Sequence, residues 1–275
     1  MLYICATPIG NLSDITERVI DTLREVDLIA AEDTRNSIKL LNHFDIKTPM
    51  TSYHEFNKYD KADELVLKMQ QGKDIALITD AGTPAISDPG EVLVKKCHEA
   101  GITVTSLPGA CACITALTLS GLSTRRFAFE AFLPSDKKER RTILSELENE
   151  TRTIIIYEAP HHLLATLNEL LASLGNRNIT LCKELTKKFE NINKTTLENA
   201  VNFYTENEPK GEFVLVIEGK SHDEIEKEKR ATFEDMPVLD HMNIYLEQGF
   251  DKKEAMKLVA KDRGVSKRDI YNQLL

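Results

Sequence analysis

The stretch IALITDAGTPAISDPG, residues 75–90, joins a short apolar run to a loop that is rich in turn-forming residues. The run ends at Thr79, and the loop that follows contains two aspartates, two glycines and two prolines. Such residues dominate solvated turns, so one interpretation is an ordinary surface turn. The other is a ligand-binding loop, because open α/β sheets bind their ligands at the carboxyl ends of parallel strands. The rest of the chain has to decide between them.

Strand and helix signals alternate through the first 120 residues. Short apolar runs predict strands at 2–6, 27–31, 75–79 and 102–107. Amphipathic segments between these runs predict helices, and Gly72 and Gly101 stand where glycines commonly end helices. Strands that alternate with helices of this length indicate parallel βαβ units.

The pattern changes near Gly121. Further strands are predicted at 127–132, 153–157, 178–182 and 212–218, and a strong helix is predicted at 161–175. We therefore predict an α/β fold with one α/β domain over residues 1–120 and a second over 121–220. Residues 221–275 are predicted to form a charged linker, over 221–237, and a helical tail.

The tail contains two predicted helices separated by a break at residues 263–265. Asp251 and Glu254 have the spacing of a capping box before the first helix, and Ser266 can cap the second. This order is typical of a helix-turn-helix. Short helical hairpins are common, so we favour an appendage used for packing or dimerisation.

Composition excludes several classes of protein. The net charge is −9, so any contact with nucleic acid has to come from local basic clusters. The five cysteines are scattered, which indicates reduced thiols and a cytoplasmic location, and Cys111 and Cys113 are expected to face a helical core. Neither a membrane span nor a signal peptide is expected, because no apolar run approaches about 18 residues and no basic segment precedes the first one. No HExxH or CxxC motif is present, so no metal site is expected.

Four loops should meet at one edge of the first sheet, because they follow its predicted parallel strands. They span residues 6–11, 31–36, 79–84 and 107–112. Three of them combine proline with glycine, which exposes backbone to a ligand. None contains GxGxxG, a P-loop or GxSxG, so these loops do not have the motifs of dinucleotide, Walker-type phosphate or serine-hydrolase sites.

Several motifs then occur in this order: TPIGNLSDIT, AEDTR, TDAGTP, SDPG, LPG, FLP, RR, YE…H, ELTK and GEFVLVIEG. Together they resemble the ribose 2'-O-methyltransferases of small-subunit ribosomal RNA, which belong to the tetrapyrrole-methylase-like class (class III) of S-adenosylmethionine enzymes. The resemblance covers residues 1–220 densely and the tail more loosely. It departs at ACA after LPG, where Pro-Ser-Ala is commoner, and at His162, where arginine is usual.

The resemblance has consequences for fold and function. It implies two α/β domains with S-adenosylmethionine in the cleft between them, and a homodimer without a membrane anchor. It also implies methylation of the ribose 2'-hydroxyl of a cytidine in the decoding region of 16S rRNA, with the RNA presented alone or within the small ribosomal subunit.

The resemblance further assigns cofactor-binding residues. Asp80 is expected either to contact the amino-acid head of the cofactor or to shape its loop as an Asx-turn. The LPG segment is expected to face adenine or ribose, where a larger side chain would clash. The full set is Pro8, Gly10, Asp80, Gly82, Thr83, Ala85, Pro108, Gly109, Ala110, Ala112 and Tyr157.

Methyl transfer to oxygen depends largely on in-line positioning, and a nearby carboxylate can accept the proton. The candidates for this catalytic base are Glu32, Asp33, Asp88 and Glu184. The sequence does not choose among them, and Asp33 is equally well explained as a helix cap.

Contacts with RNA would come from basic residues near the predicted cleft. The segment DKKERR, residues 136–141, follows FLP and is expected to lie beside a mobile loop. The predicted RNA contacts are Arg35, Lys137, Lys138, Arg140, Arg141 and Lys187. Further basic positions are Arg125, Arg126, Lys183 and Lys188.

Two other functions remain open from the sequence. One is a methyltransferase of the same fold that acts on a small molecule such as a tetrapyrrole, although such a substrate needs neither DKKERR nor the tail. The other is a non-catalytic nucleic-acid-binding regulator that works through the tail, but this leaves the glycine-proline loops unexplained.

Overall fold

A computed structural model describes residues 1–233 and 235–274 of the chain. Its first sheet consists of parallel strands in the order β3-β2-β4-β1-β5. These strands are β1 (Leu2–Cys5), β2 (Leu28–Ala31), β3 (Met50–Ser52), β4 (Ile75–Ile78) and β5 (Val104–Leu107). The helices that follow them are α1 (Glu17–Glu25), α2 (Thr34–His43), α3 (Lys58–Gln70), α4 (Gly90–Glu99) and α5 (Ala112–Ser120). The predicted parallel βαβ units are confirmed.

The loops after β1 and β4 lie side by side at the centre of this sheet. The chain leaves β1 towards β2 on one side and leaves β4 towards β5 on the other, so these loops form the topological switch point. A backbone bridge joins them: the N–H of Thr7 donates to the carbonyl of Gly82 at 2.9 Å, and the N–H of Gly82 donates back at 3.1 Å.

The second sheet is mixed, with the order β6-β7-β10-β8-β9. Only β6 and β7 are paired in parallel. The strands are β6 (Phe127–Phe132), β7 (Thr153–Glu158), β8 (Asn178–Lys183), β9 (Asn191–Thr196) and β10 (Phe213–Ile217), and the helices are α6 (Lys137–Leu147), α7 (Leu163–Leu174) and α8 (Leu197–Glu206). The sequence patterns predicted neither β9 nor α8, and they also missed β3 and α6.

Helix α5 connects the two halves of the molecule. It follows the last strand of the first sheet, yet Cys113, Ala116 and Leu117 pack against Ile155 and Val216 of the second sheet. The border between the two packing units therefore lies before α5, near residue 110, although the sequence pattern changes near residue 120.

The tail contains α9 (His222–Thr232), α10 (Val238–Glu247), α11 (Lys252–Arg263) and α12 (Lys267–Gln273). The prediction of a linker at 221–237 is wrong, because α9 occupies most of it and starts with a capping box between Ser221 and Glu224. Its Glu and Lys residues are good helix formers, but they leave no apolar stripe for a pattern search to find. Lys220 fastens this helix to the second sheet, donating to Asn149 at 2.9 Å and Glu228 at 2.5 Å.

Helices α10, α11 and α12 share a small core of their own, which consists of Val238, Met242, Ala255, Met256, Val259, Ala260 and Ile270. Among the described residues, no helix has both the length and the apolar character that a membrane crossing requires.

Candidate active site

A cavity of about 390 Å³ lies between the two sheets, and we call it the cleft cavity. One wall is formed by residues 81–83, Ile86 and the start of α5, at Cys111 and Ala112. The other wall comes from the ends of β6, β7 and β8 and the start of β10. The residues of that wall are Phe132, Tyr157, Glu158, Ala159, Pro160, Cys182, Leu185, Glu212, Phe213 and Val214, and Ile9 completes the lining.

The aromatic part of this wall is held rigidly. Phe129 and Phe132 pack edge-on against Tyr157, with ring centroids 4.9 and 5.6 Å away. The Tyr157 hydroxyl accepts a hydrogen bond of 3.0 Å from the backbone N–H of Cys113 at the start of α5. Burial raises the pKa of Tyr157, so the phenol stays neutral and acts as a wall and an anchor for α5.

The structure of the loop at residues 79–90 bears on the choice between a surface turn and a ligand-binding loop. Asp88 is half-buried in the loop, where its carboxylate accepts hydrogen bonds from the N–H groups of Ala85 and Gly90 at 2.9 and 2.7 Å. Ala85 and Ser87 have φ angles of 66° and 63°, a strained conformation for residues with a side chain. The loop is therefore a rigid structure that presents residues 81–83 to the cleft cavity.

At two of the predicted cofactor-binding glycines, neighbouring protein atoms leave no room for a side chain. A Cβ atom on Gly109 would lie 2.7 Å from the Cβ of Ala6, at the end of β1. On Gly10 it would lie 2.5 Å from Cγ of Lys187 and 2.9 Å from Oγ1 of Thr186. Gly10 thus lets the loop after β1 touch the loop after β8, and this contact joins the two halves of the molecule.

A second cavity of about 380 Å³ lies beside the switch point, on the first sheet alone, and we call it the strand-end cavity. It is lined by Thr7, Pro8, Gly10, Leu12, Asn36, Ser37, Lys39, Leu40, His43, Thr79 and Asp80. The Asp80 carboxylate accepts hydrogen bonds from the backbone N–H of Asp33 at 3.3 Å and the side-chain amide of Asn36 at 3.4 Å. The Asp80 side chain therefore fastens the start of α2 to the loop after β4.

The predicted cofactor-binding residues thus fall into three groups. Gly82, Thr83, Ala112 and Tyr157 line the cleft cavity. Pro8, Gly10 and Asp80 line the strand-end cavity. The remaining residues line neither cavity, although the carbonyl of Ala110 accepts a hydrogen bond of 3.0 Å from the hydroxyl of Thr83; they are Ala85, Pro108, Gly109 and Ala110.

Three of the four candidate bases already have strong partners. Hydrogen bonds from Arg35 lower the pKa of Asp33, which caps α2, to about 2. Asp88 is enclosed in its loop, and burial raises its pKa. Glu184 accepts a hydrogen bond of 2.9 Å from the N–H of Glu212, which lowers its pKa, and it also pairs with Lys187 at 3.0 Å.

Glu32 is the remaining candidate. It stands at the end of β2, and its carboxylate accepts a hydrogen bond of 2.5 Å from the hydroxyl of Thr79. Because Thr79 lines the strand-end cavity, this carboxylate lies directly behind the wall of that cavity.

The structure separates the predicted RNA contacts. DKKERR, which was predicted to lie beside a mobile loop, contains the cap Asp136 and the first turn of α6. Lys137, Lys138 and Arg141 are exposed there. Arg140 is turned inwards and pairs with Glu169 at 2.6 Å. Of the other two, Arg35 is exposed beside Asp33, whereas Lys187 is held between Glu184 and Glu212.

The pair of cysteines also differs from the expectation. Cys113 is buried in α5, but Cys111 precedes the helix and lines the cleft cavity. Their sulfur atoms are 3.4 Å apart, and the hydrogen bond from Cys113 lowers the pKa of Cys111.

Most of the residues that the second sheet contributes to the wall of the cleft cavity were not predicted from the sequence. Leu185 belongs to the motif ELTK and Phe132 to the motif FLP. Both motifs were recognised in the sequence, but neither side chain was predicted to line a binding site. The signal that could have found the wall is the position of each motif directly after a predicted strand. The direction of those strands in a mixed sheet could not be inferred, so the edge that they face was unknown.

Comparison with protein families matches residues 1–201 to the Tetrapyrrole (Corrin/Porphyrin) Methylases. Among solved structures, a diphthine synthase has a TM-score of 0.60 at 15% identity and covers 80% of this chain and 91% of its own. The methyltransferase CobJ has a TM-score of 0.60 at 16% identity and covers 79% and 93%. At such identities these structures bear on the fold alone, and they confirm the predicted fold class.

Curated relatives are much closer in sequence. A protein of Halalkalibacterium halodurans is 51% identical over 98% of this chain and 93% of its own length. One of Bacillus subtilis is 44% identical over 99% of this chain and 93% of its own. Both are named ribosomal RNA small subunit methyltransferase I. The chain therefore belongs to the tetrapyrrole methylase family and, within it, to the group of ribosomal RNA small subunit methyltransferase I proteins.

Proposed function

We propose that this protein methylates the ribose 2'-hydroxyl of a cytidine in the decoding region of 16S rRNA, with S-adenosylmethionine as the methyl donor. The observation that carries the proposal is the pair of cavities on either side of the Thr7–Gly82 bridge. The cleft cavity would hold the cofactor, and the strand-end cavity would hold the target nucleoside. The names of the close relatives support ribosomal RNA as the substrate.

The cleft cavity fits the cofactor in size and chemistry. Its 390 Å³ lies within the range of small-ligand sites, and its lining is mainly apolar, as such sites usually are. Tyr157 and Phe132 offer aromatic surface for an adenine, and residues 81–83 offer backbone groups for the amino-acid head. When bound, S-adenosylmethionine supplies a methyl group on a sulfonium cation, and Glu158 and Glu212 provide nearby negative charge.

The strand-end cavity has the polar groups that a nucleoside needs. Asn36, Ser37 and His43 present side chains that can donate or accept hydrogen bonds, and Lys39 adds a positive charge. Thr79 lies at the base of this cavity and is hydrogen-bonded to Glu32. We assign Glu32 as the group that accepts the proton of the ribose hydroxyl through Thr79, while the cavity holds the nucleoside in line.

A ribosomal RNA substrate extends beyond both cavities. Lys137, Lys138 and Arg141 are exposed on α6 and can contact phosphates near the cleft. We further propose that the protein is a homodimer and, because its substrate is ribosomal RNA, that it works in the cytoplasm. Sedimentation of the purified protein tests the homodimer, and the expected result is a mass twice that of the chain.

The proposed reaction is tested by incubating the protein with S-adenosylmethionine carrying a labelled methyl group and with 16S rRNA, small subunits or a tetrapyrrole. Digestion to nucleosides and mass spectrometry should then find label in 2'-O-methylcytidine alone. Label on a base, or on the tetrapyrrole but not on RNA, would refute the proposal. If RNA is labelled only in assembled subunits, the substrate is the small subunit and not free 16S rRNA.

A further inference from the structure

Positive charge is concentrated in one segment of the tail, although the whole of residues 221–275 has a net charge of −2. Residues 252–268 contain seven lysines and arginines but only two acidic residues, whereas the whole chain has a net charge of −9. One of the seven, Arg263, is turned inwards and donates to His241 Nδ1 at 3.2 Å. The other six are exposed, and they are Lys252, Lys253, Lys257, Lys261, Lys267 and Arg268.

Close ion pairs do not involve these six cations in the described part of the chain. Within residues 1–233 and 235–274, none of them lies within 4.0 Å of a carboxylate. Some exposed lysines elsewhere have such a partner, as Lys47 has in Asp45, whereas others, such as Lys137, have none among the described residues. The seven basic and two acidic residues of the segment 252–268 therefore give it a net charge of +5.

Three of the cations form a row along α11. Lys253, Lys257 and Lys261 are four residues apart, so they follow one another along the same side of the helix at steps of about 6 Å. The opposite side of α11 packs into the tail core through Ala255 and Val259. Like charges four residues apart destabilise a helix, so this row has a cost that folding alone does not explain.

The tail is attached far from the cleft cavity. Phe213, at the start of β10, lines that cavity, but β10 runs away from it to Ile217, which is paired with Ile154 near the start of β7. The tail begins beyond this end of the sheet. The length of β7, six residues, corresponds to a separation of about 20 Å. A small substrate does not extend over that distance, whereas a folded RNA does.

We propose that the six exposed cations of α11 and α12, here called the tail basic surface, bind the phosphate backbone of the substrate RNA away from the methylated nucleotide. The inference rests on the proposed function, because it takes ribosomal RNA as the substrate. The tail basic surface then sets affinity for the RNA and takes no part in the chemistry. Phosphate contacts are electrostatic and depend on salt, so this role has a distinct signature.

The test compares two triple variants of the full chain. One is Lys253→Gln, Lys257→Gln and Lys261→Gln, and the matched control is Lys47→Gln, Lys95→Gln and Lys210→Gln. Both change the net charge equally at exposed positions. Methylation of 16S rRNA is measured as kcat and KM over a range of salt, with S-adenosylmethionine affinity and thermal unfolding as checks on folding.

For the tail variant we expect KM for RNA to rise roughly ten- to hundredfold at low salt, with kcat and cofactor affinity unchanged. The slope of log affinity against log salt should fall by about 2, because each lost phosphate contact removes about 0.7. The control variant should behave like the wild type. If both triple variants behave alike, or if the tail variant only separates a dimer into monomers, the inference is overturned. If the wild type itself transfers no methyl group to RNA, it is the proposed function that fails.

Discussion

The two cavities of this protein are similar in volume but differ in how they are built. The cleft cavity has walls from both sheets and is mainly apolar. The strand-end cavity belongs to the first sheet alone and is lined by an amide, hydroxyls, a lysine, a histidine and an aspartate. Loops after parallel strands thus supply polar groups, while the second sheet supplies the apolar wall of the cleft cavity.

The difference follows from strand direction. Every strand of the first sheet ends at the same edge, so its polar loops collect there. In the second sheet β7 ends where β10 begins, and the side chains of these strands near the cleft form a wall. This difference agrees with the division of function that we propose, in which the cleft cavity holds the cofactor and the strand-end cavity positions the hydroxyl that is methylated.

Glu32→Gln should have the largest effect if the polar cavity performs the proton transfer. We expect kcat to fall by roughly 10²- to 10⁴-fold, the usual contribution of a general base, while affinity for S-adenosylmethionine is unchanged. Steady-state kinetics with 16S rRNA and a cofactor titration measure the two effects. Wild-type kcat in this variant would remove Glu32 from the mechanism.

Ala112→Phe should affect ligand binding in the cleft cavity and leave the strand-end cavity unchanged. The larger side chain projects into the cleft cavity, and overpacking of this kind costs about 1–3 kcal/mol, which corresponds to a roughly 5- to 150-fold loss of cofactor affinity. Ile114→Phe is the matched control, because Ile114 is on the same helix but is 44% exposed. Calorimetry should find weaker binding only for Ala112→Phe, and equal affinities would contradict the assignment.

Asp80→Ala should act mainly through the polar cavity. It removes the hydrogen bonds of 3.3 and 3.4 Å that hold the start of α2, so we expect kcat/KM to fall about tenfold and cofactor affinity to change less. Asp80→Asn keeps one acceptor oxygen and should retain more activity. If both substitutions weaken cofactor binding more than turnover, the carboxylate contacts the cofactor directly, as the sequence resemblance implied.

These three positions also show how far sequence reasoning reached. The run IALIT and its glycine-proline loop predicted a strand end with a site, and both cavities lie there. The border near residue 110 and the pairing of Arg140 with Glu169 were harder to predict, because they depend on which distant surface α5 and Arg140 contact. Helix α9 and strand β9 are largely polar, so their sequences lack the apolar periodicity from which elements are predicted.

Tyr157→Phe should give the smallest effect. It removes the acceptor for the backbone N–H of Cys113 but leaves the aromatic wall in place. The free energy of unfolding should therefore fall by about 0.5–1.5 kcal/mol. Tyr204→Phe serves as the control, since the Tyr204 hydroxyl has no hydrogen bond within the described part of the chain. Denaturant unfolding compares the two, and an equal loss in both would show that the bond to α5 contributes nothing.

The location of the cofactor can be tested on the unaltered protein through Cys111. The pKa of this thiol is lowered, so at neutral pH a larger share is the reactive thiolate, and its alkylation should rise with pH through a lower midpoint than that of an ordinary cysteine. Burial raises the pKa of Cys5 and Cys97, which lie outside the cleft cavity, should react slowly and serve as internal controls.

The decisive measurement is the rate at which iodoacetamide modifies Cys111, followed by mass spectrometry of peptides, with and without saturating S-adenosylmethionine. Because Cys111 lines the cleft cavity, bound cofactor should slow this modification at least about tenfold, while cytidine should leave it unchanged. An unchanged rate, under conditions in which calorimetry shows the cofactor to be bound, would contradict the assignment of the cleft cavity to S-adenosylmethionine.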